Sequence, residues 1–282
     1  MKIAAFDAGD GPETGVVKGD RIHSTGFAGS MIDLMAQWDT IRDAVAAHAD
    51  RDPGLPLSDI RLLAPVARPG KIFAIGLNYA DHIAESAMGT PERQVWFTKA
   101  VTSVNAPFDP VVIATGAPLV DYEVELVAVI GKRGRHIARD QARAHVFGYC
   151  VGNDVTERGW QHATPQWSLG KSFDTHAPIG PWITTADEAG DPHALDLRCL
   201  VNGEVRQSSN TRHLVFDLWA QIEHLSQAMT LEVGDLIFSG TPGGVGAAMK
   251  PPRFLKAGDV VRCEIERLGA IEAMLRNEDP RR

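Results

Sequence analysis

The sequence predicts an α+β protein built on a mixed, curled sheet, and three observations carry that prediction. Short apolar runs such as KIFAIGL, ELVAVIG, DLRCLVNG, DLIFSG and DVVRCEI dominate the chain beyond residue 66, separated by Gly-Asp or Asn-Gly turns. Helical periodicity is confined to a few stretches. Strands and helices do not alternate regularly, which argues against a ring of βα units and against a doubly wound parallel sheet.

Taken in order, residues 2–25 read as short strands (KIAAF, TGVVK, RIHST) broken by Gly and Asp turns, with helical stretches following near 30–37 and 40–49. These form a small N-terminal α/β cap domain, residues 1–66. The segment after residue 50 carries Pro53, Pro56, Pro65 and Pro69, cannot sustain a long helix, and links the cap to the main body, residues 67–282. In that body helices are expected near 80–88, 139–145 and 212–228. In the last, Leu214, Val215, Leu218, Ile222 and Leu225 share one face. The polar tail 277–282 is expected to fray.

Composition narrows the function classes. The chain has 282 residues, 44% hydrophobic and 23% charged, which excludes disordered and fibrous proteins. Its net charge of −8 and pI near 5.7 lack the basic footprint of a nucleic-acid binder, so no nucleic-acid partner is expected. Cys150, Cys199 and Cys263 are odd in number and widely spaced, with no CxxC, which predicts neither a disulfide framework nor a zinc knuckle and fits a reducing cytoplasm. The opening run MKIAAF soon meets Asp7 and Asp10, too early for a signal segment or a membrane span, so the expectation is a soluble cytoplasmic protein with no membrane partner.

The segment from Asp121 to Ile130 is the most informative. Glu123 and Glu125 fall on one face of a strand, roughly 7 Å apart along it, because side chains alternate with period two. The rest of the strand is apolar, and like charges near an interior require a cation or a proton. A solvated edge strand would carry the same pattern. A second apolar strand, GYCVGND, ends in Asp154, and three carboxylates without Cys or paired His suit a hard ion, Mg²⁺ or Mn²⁺. Asp121 is open to two readings, an additional ligand or outer partner, or more simply a turn residue.

In GLNYADHIAE, His82 and Glu85 share a face of a short helix at i and i+3, so that Glu85 can orient an imidazole able to deprotonate water; a solvated surface pair has the same spacing. Lys171, in GKSFD, lies in a turn-rich stretch where an ammonium can stabilise developing negative charge. The turn GTPGGVG, residues 240–246, can hold a carboxylate on its backbone N–H groups and is not a P-loop. Both of these stretches also read as plain tight-turn chemistry.

In their order, GLNYADHIAE, DYEVELVAVIGK, GYCVGNDVTERGWQ, GKSFDTHAPIGPW, VNGEVRQSSNT and GDLIFSGTPGGVG resemble the fumarylacetoacetate hydrolase family, in particular its acylpyruvate-hydrolase-like branch, over roughly residues 68 to 270. The resemblance implies a mixed β-sandwich roll, a homodimer, and a lid that orders over ligand. It implies Glu123, Glu125 and Asp154 as ligands of Mg²⁺ or Mn²⁺, His82 and Glu85 as a catalytic dyad, and Lys171 as the active-site lysine. Lys99, Arg158, Gln161 and Thr241 match positions that contact substrate or shape the pocket.

The activity implied is metal-dependent hydrolysis of a C–C bond in an acylpyruvate or related 2,4-dioxo acid. His82 activates water toward the distal carbonyl, Lys171 steadies the oxyanion, and pyruvate leaves as its enolate. The alternative is decarboxylation of oxaloacetate or another keto acid at the same metal site. A non-catalytic keto-acid sensor of this fold is expected to lack the dyad or the lysine, and His82, Glu85 and Lys171 are all present. A nucleotide-dependent dehydrogenase would need a strand-linked Gly fingerprint that the chain lacks.

Overall fold

A computed structural model describes residues 1–86, 89 and 91–279. Among these residues the strands form a sheet of twelve, a sheet of five and a separate pair, with parallel and antiparallel neighbours mixed in both larger sheets. The fold is mixed α+β with open sheets and a small N-terminal cap of strands and helices, as the sequence predicts.

Strand Val124–Ile130 runs through the middle of the large sheet, and all of its residues are buried. Covered on both faces, it is apolar at every position but Glu125, with no polar alternation. Val124, Leu126, Ala128 and Ile130 share a core with Leu197, Val261 and Ile271 of the five-stranded sheet. Val127 and Val129 point the other way, into a second core with Met31, Leu34 and Val45 of the N-terminal helices.

Those helices follow from local chemistry. Helix Met31–Ala36 starts at a capping box, in which the Ser30 hydroxyl accepts the Asp33 N–H and the Asp33 carboxylate accepts the Ser30 N–H. Helix Trp38–Ala49 follows, with the Trp38 ring packed edge-on to Phe147 at 5.2 Å. The N-terminal strands Lys2–Asp7, Pro12–Lys18 and Arg21–Ser24 extend the large sheet, joining it where Ile3 pairs with Ile183. Residues 1–66 thus lend strands and a helical cover to the sheet that carries the site.

Two helical expectations are revised. Residues Arg139–His145 form a tight 3₁₀ segment. The helix expected over 212–228 begins only at Leu218, because the Asp217 carboxylate accepts the Ala220 N–H and caps it there. Leu214 instead bridges to Tyr79, and the Val215 N–H donates to the Asn78 carbonyl. Helix Ala80–Ser86 matches the first part of the expected 80–88 stretch. Residues 87 and 88, and residues 280–282 of the polar tail, lie outside the described residues. No helix among the described residues is long and apolar enough to cross a membrane.

Topology brings the motifs to one end of the large sheet. Strands Ile72–Gly76 and Leu236–Phe238 run parallel, so the chain leaves both at the same end, toward the His82 helix and the glycine-rich turn. Val124–Ile130 runs antiparallel to Leu236–Phe238 and therefore begins there, with Glu123 and Glu125. Val146–Asn153 is antiparallel in turn and ends there, at Asp154.

One buried histidine ties this fold to pH. The Nε2–H of His176 donates to the Val112 carbonyl oxygen at 3.0 Å, and burial pushes its pKa down to about 4. The unfolded value is about 6.5, so the folded state binds fewer protons between the two. The stability this group contributes is present in full above about pH 6.5 and is lost as pH falls through about 4, on the order of 3 kcal/mol. Urea titrations across that window should show the slope, and His176→Phe should flatten it. An unchanged slope in the variant would assign the effect to other groups.

Candidate metal centre

The centre is built on two adjoining strand ends. The Asp154 N–H donates to the Glu123 carbonyl at 2.8 Å and the Glu123 N–H donates to Asn153 Oδ1 at 2.9 Å, which pins the ends together. One carboxylate oxygen each from Glu123, Glu125 and Asp154 lies within 4.8 Å of the other two, and all three residues are buried.

Three buried cationic groups meet these carboxylates. Lys171 Nζ lies 2.6 Å from Glu123 Oε2 and 2.7 Å from Asp154 Oδ2. Lys99 Nζ lies 2.6 Å from Asp154 Oδ1 and also donates to the Lys171 carbonyl. Arg158 Nη2 lies 2.7 Å from Glu123 Oε1 and 2.8 Å from Asp121 Oδ2. Asp121 is more than a turn residue and stands outside the ligand cluster: its oxygens accept from Arg158 Nε and from the N–H groups of Tyr122, Gly246 and Ala247.

Among the described residues, Glu125 has no cationic partner within hydrogen-bond reach. Its Oε2 accepts the Gly240 N–H at 2.7 Å. Burial, then the charges of Asp154 and Glu123, push its pKa well above the ordinary carboxylate range. Glu123 goes the other way: against the cost of burial, Lys171 and then Arg158 hold it near 2. For Lys171 burial is outweighed by Asp154 and Glu123, which keep it charged, whereas for Lys99 burial outweighs Asp154 and lowers the pKa. A buried carboxylate facing two others calls for a cation, and three oxygen donors without sulfur or imidazole fit a hard divalent ion.

The turn expected to hold a carboxylate holds three, all belonging to the protein. Gly240 N–H takes Glu125, Gly244 N–H takes Glu85 at 2.8 Å, and Gly246 N–H takes Asp121 at 2.8 Å. Gly244 sits at φ +102, and a Cβ there would collide with the Arg206 carbonyl oxygen. Gly244→Ala is therefore expected to lower stability by about 2 kcal/mol and to undock helix Ala80–Ser86, read as a lower thermal midpoint and faster amide exchange at 80–85.

On that helix His82 Nδ1 lies 2.8 Å from Glu85 Oε1. A carboxylate can only accept, so Nδ1 carries the proton and Nε2 is left as a base. Every residue expected from the sequence in a catalytic, metal or substrate role, save Asp154 and Lys99, lines one cavity of about 260 Å³. Lys99 sits against Asp154, away from the cavity lining. The Thr241 hydroxyl is engaged within the protein, donating to the Val124 carbonyl and accepting from Gln207. Glu157 caps the one-turn helix Arg158–His162, which turns Arg158, Gln161 and His162 toward the cavity. Sequence reasoning passed over His162 and Trp167, which also line it; the i, i+3, i+4 spacing from Arg158 was the available signal for His162.

A family-wide sequence model, described as Fumarylacetoacetate (FAA) hydrolase C-terminal, matches residues 71–276. The chain belongs to the fumarylacetoacetate hydrolase family. Within it, a Bos taurus protein named "Oxaloacetate tautomerase FAHD2A, mitochondrial" is 46% identical over 245 residues, 86% of this chain and 78% of the relative. The Homo sapiens protein of the same name is 44% identical over 283 residues, 96% and 90% of the two chains. The solved structure of maleylpyruvate hydrolase from Sphingobium sp. SYK-6, in complex with manganese(II) and pyruvate, is 35% identical, covers 99% of this chain and 100% of that one, and superimposes with a TM-score of 0.86.

The carboxylate cluster and the family together make the chain a metal-dependent enzyme with a divalent cation as cofactor. The cytoplasmic expectation does not stand, because these bovine and human relatives of the fumarylacetoacetate hydrolase family are named as mitochondrial. Three free, buried cysteines speak to the redox state of a compartment and cannot say which compartment it is.

Proposed function

We propose that the protein interconverts the keto and enol forms of a small 2-oxo diacid, oxaloacetate being the first choice, with Mg²⁺ or Mn²⁺ held by Glu123, Glu125 and Asp154. The observation that carries this reading is a single oriented base, His82 Nε2, sharing a small cavity with the carboxylate cluster. Two relatives named as oxaloacetate tautomerases, 44% and 46% identical, support the choice of reaction.

The bound cation supplies a Lewis acid that acidifies the carbon beside a 2-oxo group. His82 takes a proton from that carbon and, as an imidazolium steadied by Glu85, returns it to carbon or to the enol oxygen. Atoms and charge balance with no water consumed. Lys171, kept charged by Glu123 and Asp154, contributes positive potential where negative charge develops. Gly244 holds the dyad in register through Glu85.

Hydrolysis of an acylpyruvate is the second reading, favoured by the likeness to a maleylpyruvate hydrolase. It uses the same dyad with a water placed against it. The two part in a side-by-side assay with Mg²⁺ or Mn²⁺, following enol–keto conversion of oxaloacetate, CO₂ release, and cleavage of maleylpyruvate. The tautomerase reading expects the first to dominate in kcat/KM. Faster cleavage of maleylpyruvate would replace it with the hydrolase, and CO₂ release outrunning tautomerisation would replace it with the decarboxylase.

A further inference from the structure

Seven ionisable side chains line the cavity, and six of them are engaged with other groups of the protein. His82 and Glu85 hold each other. Glu123 is bound by Lys171 and Arg158, and Glu125 faces the carboxylate cluster with one oxygen on Gly240. His162 is the seventh, and no hydrogen bond or ion pair joins its ring to any described residue. It closes the helix Arg158–His162, where Glu157 at the N-cap fixes the turn that brings it to the rim. Arg158 is committed to Asp121 and Glu123 and also donates to Gln161 Oε1, so neither its charge nor that carbonyl oxygen is free for a ligand.

A 2-oxo acid whose head lies at the carboxylate cluster must direct its tail elsewhere in the same small cavity. We propose that His162 is the specificity residue that receives this tail, donating a ring N–H to a carboxylate at the end remote from the 2-oxo group. The inference rests on the 2-oxo-acid reading above and adds to it the residue that separates diacids from monoacids. Partial burial, then the charges of Arg158 and Lys171, lower the His162 pKa, so without ligand the ring is more readily neutral and still carries one N–H to donate. The ring is exposed at the end of a single helical turn.

The test compares a 2-oxo head without a terminal carboxylate with one that has it. Mn²⁺-loaded protein is titrated calorimetrically with pyruvate and with oxaloacetate, as the unaltered chain, as His162→Ala and as His162→Gln, which keeps a neutral donor. The unaltered protein should prefer oxaloacetate. His162→Ala should weaken oxaloacetate about tenfold to a hundredfold and leave pyruvate unchanged, with His162→Gln recovering part of the loss. A preference that survives intact in His162→Ala would overturn this inference and leave the proposed reaction standing. If the unaltered protein bound oxaloacetate no better than pyruvate, the diacid reading and the inference would fall together. Equal loss of pyruvate and oxaloacetate would recast His162 as a structural support of the centre.

Discussion

Glu125→Gln and Asp154→Asn should both abolish divalent-cation binding and take turnover down with it, yet move the stability of the metal-free protein in opposite directions. Loss of a ligand should exceed the 10- to 100-fold drop in metal affinity that removal of an outer hydrogen bond brings. In the metal-free protein Glu125 is a buried acid with no cationic partner within hydrogen-bond reach among the described residues, so an uncharged amide there removes the cost of burying its charge beside two other carboxylates and should raise the thermal midpoint. Asp154 is the counterion of both Lys99 and Lys171, and Asn leaves two buried ammonium groups short of charge, at a cost of about 3–5 kcal/mol. Calorimetric Mn²⁺ titration and thermal unfolding with and without metal read both effects. Full activity after exhaustive chelation would contradict the centre, and a common direction for the two metal-free midpoints would contradict the charge balance.

His82→Ala is expected to keep the metal and lose the reaction. Its imidazole is held by Glu85 and is not among the clustered ligand atoms, so Mn²⁺ affinity should stay within a few-fold of the unaltered protein. Turnover should fall on the order of 10²- to 10⁴-fold, the usual range for a general base. Glu85→Gln should fall less, since an amide can still orient the ring. The outcome that sinks the assignment is a loss of metal affinity as severe as that of Asp154→Asn, which would make His82 a ligand.

The parts of this protein readable from sequence are those governed by a local rule. Period two put Glu123 and Glu125 on one side, and apolar runs located the strands that deliver them. Partnership across the chain has no such rule. Nothing in KIAAF announces that Ile3 pairs with Ile183, and nothing near Lys99 points to Asp154, whose carboxylate lies beside its ammonium only in the fold. From its place before a strand Asp121 reads as a ligand, an outer partner or, more simply, a turn residue; its burial under Arg158 and three backbone N–H groups is a property of the assembled site. At residue 217 the apolar spacing of Leu214 and Val215 outweighed a helix cap that was there to be read in the Asp before Leu218.

Strand Val124–Ile130 divides its labour by parity: even positions build the sandwich core, while odd ones supply Glu125 and the floor beneath the N-terminal helices. That arithmetic shapes how the protein can change over generations. A side-chain replacement at an odd position alters the chemistry and spares the core, whereas inserting or deleting one residue exchanges the two faces at once, carrying an acid into the sandwich and leucine or valine into the centre. Lineages descended from such a chain are therefore free to explore new reactions by substitution around the cavity, but gaps in their alignments should avoid residues 123–130 altogether.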